Sequence, residues 1–185
     1  IKGGRLALAA YPAKLVTLVV SDVPGDDPAL VSSGPTVASD ATVADALAVV
    51  ADYNLDLPSS ILEHLQSPSA QAPNPLDPRL SRCEKRVIAS ASRSLEAAAD
   101  HAQSLGVEAV ILSDAIEGEA RDVGTVHAAI AREVALRNRP FPKPILLLSG
   151  GETTVSFGSG KRGRGGRNST FLLSFALAIQ DLAHD

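Results

Sequence analysis

Apolar residues run almost unbroken through KLVTLVVS (14–21), and the β-branched content of that run predicts a strand buried on both faces. KRVIAS (85–90), VEAVILSD (107–114) and PILLLSGG (144–151) repeat the pattern, and TTVSF (153–157) follows as a short additional strand. Between these runs the apolar spacing turns helical. SDATVADALAVVADY (39–53) predicts a helix capped by Ser39 or Asp40, and SRSLEAAADHAQSLG (92–106) one closed by Gly106. EARDVGTVHAAIAREVALRN (119–138) predicts a long helix, and NSTFLLSFALAIQDLA (168–183) one that is apolar all round and so buried on every side. The proline-rich stretch from Ser67 to Pro78 reads as a loop. No internal repeat is present. Strands alternating with helices predict an α/β fold, a layered, mostly parallel, Rossmann-like sheet with helices.

Composition narrows this picture. The chain of 185 residues is 45% apolar but 3% aromatic, so its core must be built from Ala, Val, Leu and Ile. A net charge of -4 argues against a nucleic-acid binder, which must neutralise many phosphates. No apolar run reaches the ~18 residues of a membrane span, so no membrane partner is expected. The single cysteine, Cys83, cannot close an intramolecular disulfide and points to a reducing, cytoplasmic setting. The chain starts at Ile1, holds no methionine and stops after an apolar helical run, which predicts an internal segment of a longer protein.

The strand ends VVSD, ILSD and LLSG are alike, and ligands of open parallel sheets bind beyond the carboxyl ends of strands. After the first, SDVPGDDP places Asp22, Asp26 and Asp27 around Pro24 and Gly25. Such carboxylates can hold Mg²⁺ together with substrate phosphates, accept a proton, or simply shape a turn. SSGPT (32–36) offers Ser33, Gly34 and Thr36 to an oxyanion, or forms an ordinary loop. KGGRLA opens the chain with Lys2, Gly3 and Gly4 ahead of helix formers, where amides and a point charge could meet phosphate.

The densest chemistry lies in LLLSGGETTVSFGSGKRGRGGRN (146–168). Gly158 to Gly163 matches G-x-G-x-x-G literally, but further glycines stand where a helix should begin and no acid follows for ribose. A P-loop fails because Arg162 follows Gly160-Lys161. An RNA-binding arginine-glycine tract would be longer and less acidic in its setting. The best reading is a loop, GRGGRN, ending at a helix start with Asn168 or Ser169 as cap. Gly165 and Gly166 would let backbone approach a ligand, and the Arg167 fork would bind phosphate or carboxylate. SGGETT is its partner, with Gly150 and Gly151 at the strand end. His64, His101, His127 and His184 are scattered without metal spacing and read as structural or surface groups; Cys83 reads as inert.

In this order, KGGRLA, SDVPGDDP, SSGPT, GEARDVGTVHAAIA, LLSGGETTV and GRGGRNSTFLLS closely resemble the glycerate 2-kinase family, often labelled hydroxypyruvate reductase and carrying a C-terminal MOFRL domain. The resemblance runs over nearly the whole chain. It implies phosphorylation of D-glycerate by ATP at the 2-hydroxyl, with Mg²⁺, in a cleft between two α/β domains. It implies that residues 1–141 are the C-terminal part of the large domain and 142–185 the beginning of MOFRL. Asp22 would stand in the acidic loop and Arg167 in the glycine-rich loop. Gly150, Gly151, Glu152 and Thr153 would line the cleft. If the acidic loop holds the Mg²⁺, Asp22 and Asp26 are the expected metal ligands. The family's further lysine in an N-terminal glycine-rich segment and its D-T-D-G segment do not occur in this chain. The partners implied are D-glycerate and ATP, and a homo-oligomer is compatible. Two competing readings are an NAD(P)-dependent hydroxypyruvate reductase and a non-catalytic anion-binding module.

Overall fold

The computed structural model describes residues 2–156 and 163–182. In chain order the elements are α1 (Arg5–Ala10), β1 (Leu15–Val20), α2 (Val43–Asp52), α3 (Ser59–Leu65), β2 (Cys83–Ala89), α4 (Ala91–Ser104), β3 (Ala109–Glu119), α5 (Ala120–Arg137), β4 (Leu146–Thr154) and α6 (Arg167–Ala178). Contacts group the chain into two units: Ile1–Ser21 with Asp26–Ile88, and Asp22–Gly25 with Ala89–Asp185. Among the described residues, no helix is long and apolar enough to cross a membrane.

The first unit holds the β1–β2 sheet. Its α2 begins at Thr42, not at Ser39 or Asp40. The Thr42 hydroxyl accepts from the Asp45 amide while the Asp45 carboxylate accepts from the Thr42 amide, a reciprocal cap. The Thr42 side chain sits three residues before that carboxylate, a spacing that neither Ser39 nor Asp40 has. Helix α3 forms within a stretch for which the apolar pattern predicts no element.

In the second unit, β3 and β4 run parallel, with Ala109 opposite Leu146 and Ile116 opposite Gly151. The register shifts between Ile111 and Ser113 and again between Ser113 and Ile116. Helix α5 is the crossover between the two strands and buries Ala120, Gly124, Ala128 and Val134 along one stripe. Small residues on that stripe allow close packing. A Cβ at Gly124 would meet the Phe171 carbonyl oxygen at 2.6 Å, so α5 and α6 approach nearly backbone to backbone there. Ser174 Oγ ties the same pair by donating to the Arg121 carbonyl at 2.7 Å.

The strands follow the apolar runs, except that β3 continues past Asp114 to Glu119, and β4 and α6 each differ from expectation in one respect. Thr153 and Thr154 continue β4 and do not start a separate strand; Phe157 lies outside the described residues. Helix α6 is not buried on every side: none of its residues is buried, and Leu172, Leu173 and Leu177 are 63%, 62% and 58% exposed. An apolar circumference requires neighbours all round, and α5 supplies them along one face. The buried apolar side chains are Ala7, Val19, Ala102, Ala120, Ala128 and Val134, the aliphatic core that the scarcity of aromatics predicts.

Candidate functional site

The sequence-distant motifs meet in pairs, one pair in each unit. In the first unit the KGGR and SSGP segments zip together: Gly3 N–H donates to the Ser33 carbonyl (3.0 Å), Gly4 N–H to Gly34 (2.8 Å) and Leu6 N–H to Pro35 (3.0 Å). Gly4 and Gly34 both have positive φ, and a Cβ would meet Ala38 N at 2.8 Å and Ala29 O at 2.7 Å respectively. The glycines therefore serve a close backbone approach, and their amides are spent within the protein. Lys2 Nζ donates to the Ser32 carbonyl. Lys2, Gly3, Ser33 and Asp27 line an open pocket of about 870 Å³. Thr36 is tied to β1 by a 2.8 Å hydroxyl contact with Thr17 and lines a neighbouring pocket.

The acidic turn distributes its carboxylates unequally. Asp27 Oδ1 accepts from the Ala29 amide at 2.9 Å, the turn role its position allows. Asp26 sits at φ 54 and is half-buried, whereas Asp22 is exposed and groups with the second unit. Among the described residues, no set of three or more His, Cys, Asp or Glu side chains is arranged to hold a metal.

In the second unit, β4 delivers Ser149 to Thr153 beside the start of α6. The cap of α6 is Gly166, with neither Asn168 nor Ser169 in that place. Ser169 works from the third helical position: its Oγ accepts from the Gly166 amide (2.7 Å) and donates to the Gly166 carbonyl (2.8 Å). Arg167 is consequently the first helical residue, where a cation opposes the helix dipole. Glu152 on β4 offsets this by an ion pair with the Arg167 guanidinium, which also donates to the Thr153 carbonyl at 3.5 Å. Both partners stay partly exposed. Gly151, Glu152, Thr153, Gly166, Arg167 and Asn168 line a pocket of about 510 Å³. Gly165 lies just before it at φ 125.

A second, smaller cavity of about 150 Å³ adjoins it through Gly151, Thr153 and Asn168. Its apolar wall is Ile116, Val123 and Phe171, and its polar wall is His127 and Ser149. Sequence reasoning placed His127 among structural groups and did not select Ser149. Their contact, 3.0 Å from Nε2 to Oγ, joins α5 to β4 and has no signature in residue spacing. The bare motif match from Gly158 to Gly163, and His184, lie almost wholly or wholly outside the described residues.

This is a mixed α/β protein in which Gly150 and Gly151, expected at a strand end, lie within the parallel strand β4, with Glu152 just after them paired to a guanidinium at a helix start. The model for a "Domain of unknown function (DUF4147)" matches residues 1–66. A protein of Agrobacterium vitis, named as a candidate hydroxypyruvate reductase, is 51% identical over 97% of this chain and 46% of its own length. The glycerate 2-kinase of Pyrococcus horikoshii is 39% identical over 98% of the chain and 42% of its own length. The crystal structure of the glycerate kinase of Thermotoga maritima superposes with a TM-score of 0.80 at 34% identity, covering 98% of this chain and 42% of that one. The chain thus spans less than half the length of these relatives. Over that span it is similar in sequence and in structure to proteins named glycerate kinase or glycerate 2-kinase.

Proposed function

We propose that the full-length protein is a glycerate 2-kinase, transferring the γ-phosphoryl group of ATP to the 2-hydroxyl of D-glycerate in a cleft between two α/β domains. The observation that carries this reading is Arg167 at the head of α6, lining one pocket with Gly151 of β4 and paired with Glu152. Phosphoryl transfer asks chiefly for positioning and charge neutralisation, and a guanidinium fork next to side-chain-free backbone supplies both. The names of the relatives from Pyrococcus and Thermotoga support the same chemistry.

Mg²⁺ takes hard oxygen ligands. Asp22 and Asp26 are hard oxygen ligands, and neither makes a hydrogen bond or ion pair among the described residues, while Asp27 is used by the turn. A phosphate-bound Mg²⁺ needs only one or two carboxylates from the protein. When bound it would neutralise developing phosphate charge; Asp22, with Asp26, would hold it. Lys2, Gly3, Gly4, Ser33, Gly34 and Thr36 would be further substrate- or phosphate-binding residues. We further propose a MOFRL domain beginning near Pro142, between α5 and β4, and a cytoplasmic setting.

The experiment is a coupled ADP-release assay on the full-length protein with D-glycerate, run beside NADH and NADPH consumption with hydroxypyruvate. ATP-dependent turnover abolished by EDTA is expected. EDTA-insensitive oxidation of either nicotinamide would establish the reductase instead, and anion binding with no turnover would establish the binding module.

A further inference from the structure

His127 is held on three sides. Its Nδ1 lies 2.8 Å from the Val123 carbonyl, its Nε2 3.0 Å from Ser149 Oγ, and its ring meets Phe171 edge-on at 5.1 Å. A carbonyl oxygen can only accept, so Nδ1 carries a proton. In the neutral ring Nε2 is then an acceptor, and the Ser149 hydroxyl donates to it. The proton of Ser149 is thereby committed to His127, and its lone pairs are left for the cavity it lines. Among the described residues, Ser149 Oγ has no other side-chain or backbone partner.

The cavity suits a small hydroxylated acid. On the same measure one water needs about 10–15 Å³, so about 150 Å³ admits a ligand of a few heavy atoms. Gly150 and Gly151 contribute no side chains to fill it. Asn168, whose amide has no partner among the described residues, stands between this cavity and the Arg167 pocket, so a ligand here can turn a carboxylate toward Asn168 and Arg167. His127 is the one titratable side chain among the cavity's described lining residues from β3, α5, β4 and α6. The nearest charges in the adjoining pocket, Glu152 and Arg167, are paired with each other.

We infer that Ser149 and His127 form a proton relay for the hydroxyl of the hydroxy-acid substrate, an inference that rests on the kinase reading above. As the substrate oxygen bonds to the γ-phosphorus of ATP, the bond from that phosphorus to the β-bridging oxygen breaks and ADP leaves. The substrate O–H bond breaks with it: the proton passes to Ser149 Oγ, and the Ser149 proton passes to His127 Nε2. The resulting imidazolium keeps Nδ1–H on the Val123 carbonyl and loses its extra proton to solvent after product leaves.

The test is ADP release by the full-length protein with D-glycerate in four variants: His127→Ala, His127→Gln, Ser149→Ala and the double variant His127→Gln/Ser149→Ala. Each single substitution should lower kcat about 10²-fold with the glycerate KM changed by no more than a few fold. The double variant should be no slower than the slower single, because one relay is lost once. Gln retains an acceptor for Ser149 but no basicity, so His127→Gln should be as slow as His127→Ala. Added imidazole should restore part of the His127→Ala rate and none of the Ser149→Ala rate. If His127→Ala fails to fold, as read by circular dichroism, His127→Gln and Ser149→Ala carry the same comparison. Near-wild-type turnover by His127→Gln, or losses that multiply in the double variant, would overturn the relay alone. Absence of wild-type turnover would overturn the kinase reading and the relay with it.

Discussion

Arg167 on α6 and Glu152 on β4 neutralise each other across the mouth of the larger pocket of the second unit. An incoming anion must therefore share the guanidinium with Glu152 or displace it. A fork has enough donors to do the first: one edge can stay on the carboxylate while the other takes a phosphate or carboxylate oxygen. A lysine has no second edge.

Arg167→Lys and Arg167→Ala should both impair turnover strongly, with Arg167→Lys recovering little of the loss. Stability should barely respond, since a half-exposed ion pair is worth about 0.2–1 kcal/mol. Steady-state kinetics beside thermal melts would check this. Turnover retained in both variants, or a melt that collapses in parallel with activity, would remove Arg167 from the site.

Asp22→Asn should lower turnover about 10²-fold or more while leaving circular dichroism unchanged, if its carboxylate serves a metal or the reacting hydroxyl. Asp26→Asn should raise the Mg²⁺ concentration needed for half-maximal rate. Asp27→Asn should do neither, because its Oδ1 is engaged by the Ala29 amide and the asparagine oxygen can take over that bond. A Mg²⁺ titration of the three variants decides among them.

Gly151 has φ 148, and a Cβ there would lie 2.1 Å from the Ile116 carbonyl oxygen and 2.3 Å from its amide. Gly151→Ala should cost at least about 2 kcal/mol, read as a lowered urea midpoint, because neither backbone can yield without breaking the β3–β4 ladder. Gly3→Ala is the control for crowding: it has positive φ, yet a Cβ there would meet nothing within 4 Å. Its loss should be smaller and due to backbone conformation alone.

Asp77 bonds to the Arg79 side chain and amide, which holds its carboxyl at about 2, below the usual 3.8. A depressed carboxylate contributes stability that is present above the unfolded value of 3.8 and is lost as pH falls through about 2. Asp77 is half-buried and Arg79 exposed, and the pair is two residues apart, so the effect should be local. A carbon-detected NMR titration should place the Asp77 midpoint near 2, and Arg79→Ala should move it back toward 3.8.

The strands were legible because continuous apolar, β-branched runs admit few other solutions; each of the four overlaps its predicted run, though β3 continues through the polar residues to Glu119, which no apolar run marks. Helix ends were less so. Thr42 competes with Ser39 and Asp40 as a cap, and only the reciprocal bond with Asp45 decides it. At α6 the glycine at 166 takes the cap because Ser169 reaches back to its amide. The pairing of Arg167 with Glu152 follows from motifs visible in the sequence. The contact of His127 with Ser149 does not, since it depends on how α5 lies over β4 after the crossover.

That crossover also sets when the site can exist. Ala109 meets Leu146 only after the whole of α5 has been bridged, and Arg132 and Asp181 join α5 to the end of α6 across a still longer separation. The His127–Ser149 contact likewise joins α5 to β4, so the smaller pocket needs that crossover in place. Pairings so far apart in sequence are slow to form and costly in chain entropy. A variant that merely frays α5 should therefore keep much of its helical signal while losing its binding geometry, making ligand protection of slow amide exchange a more sensitive gauge of correct assembly than secondary-structure content.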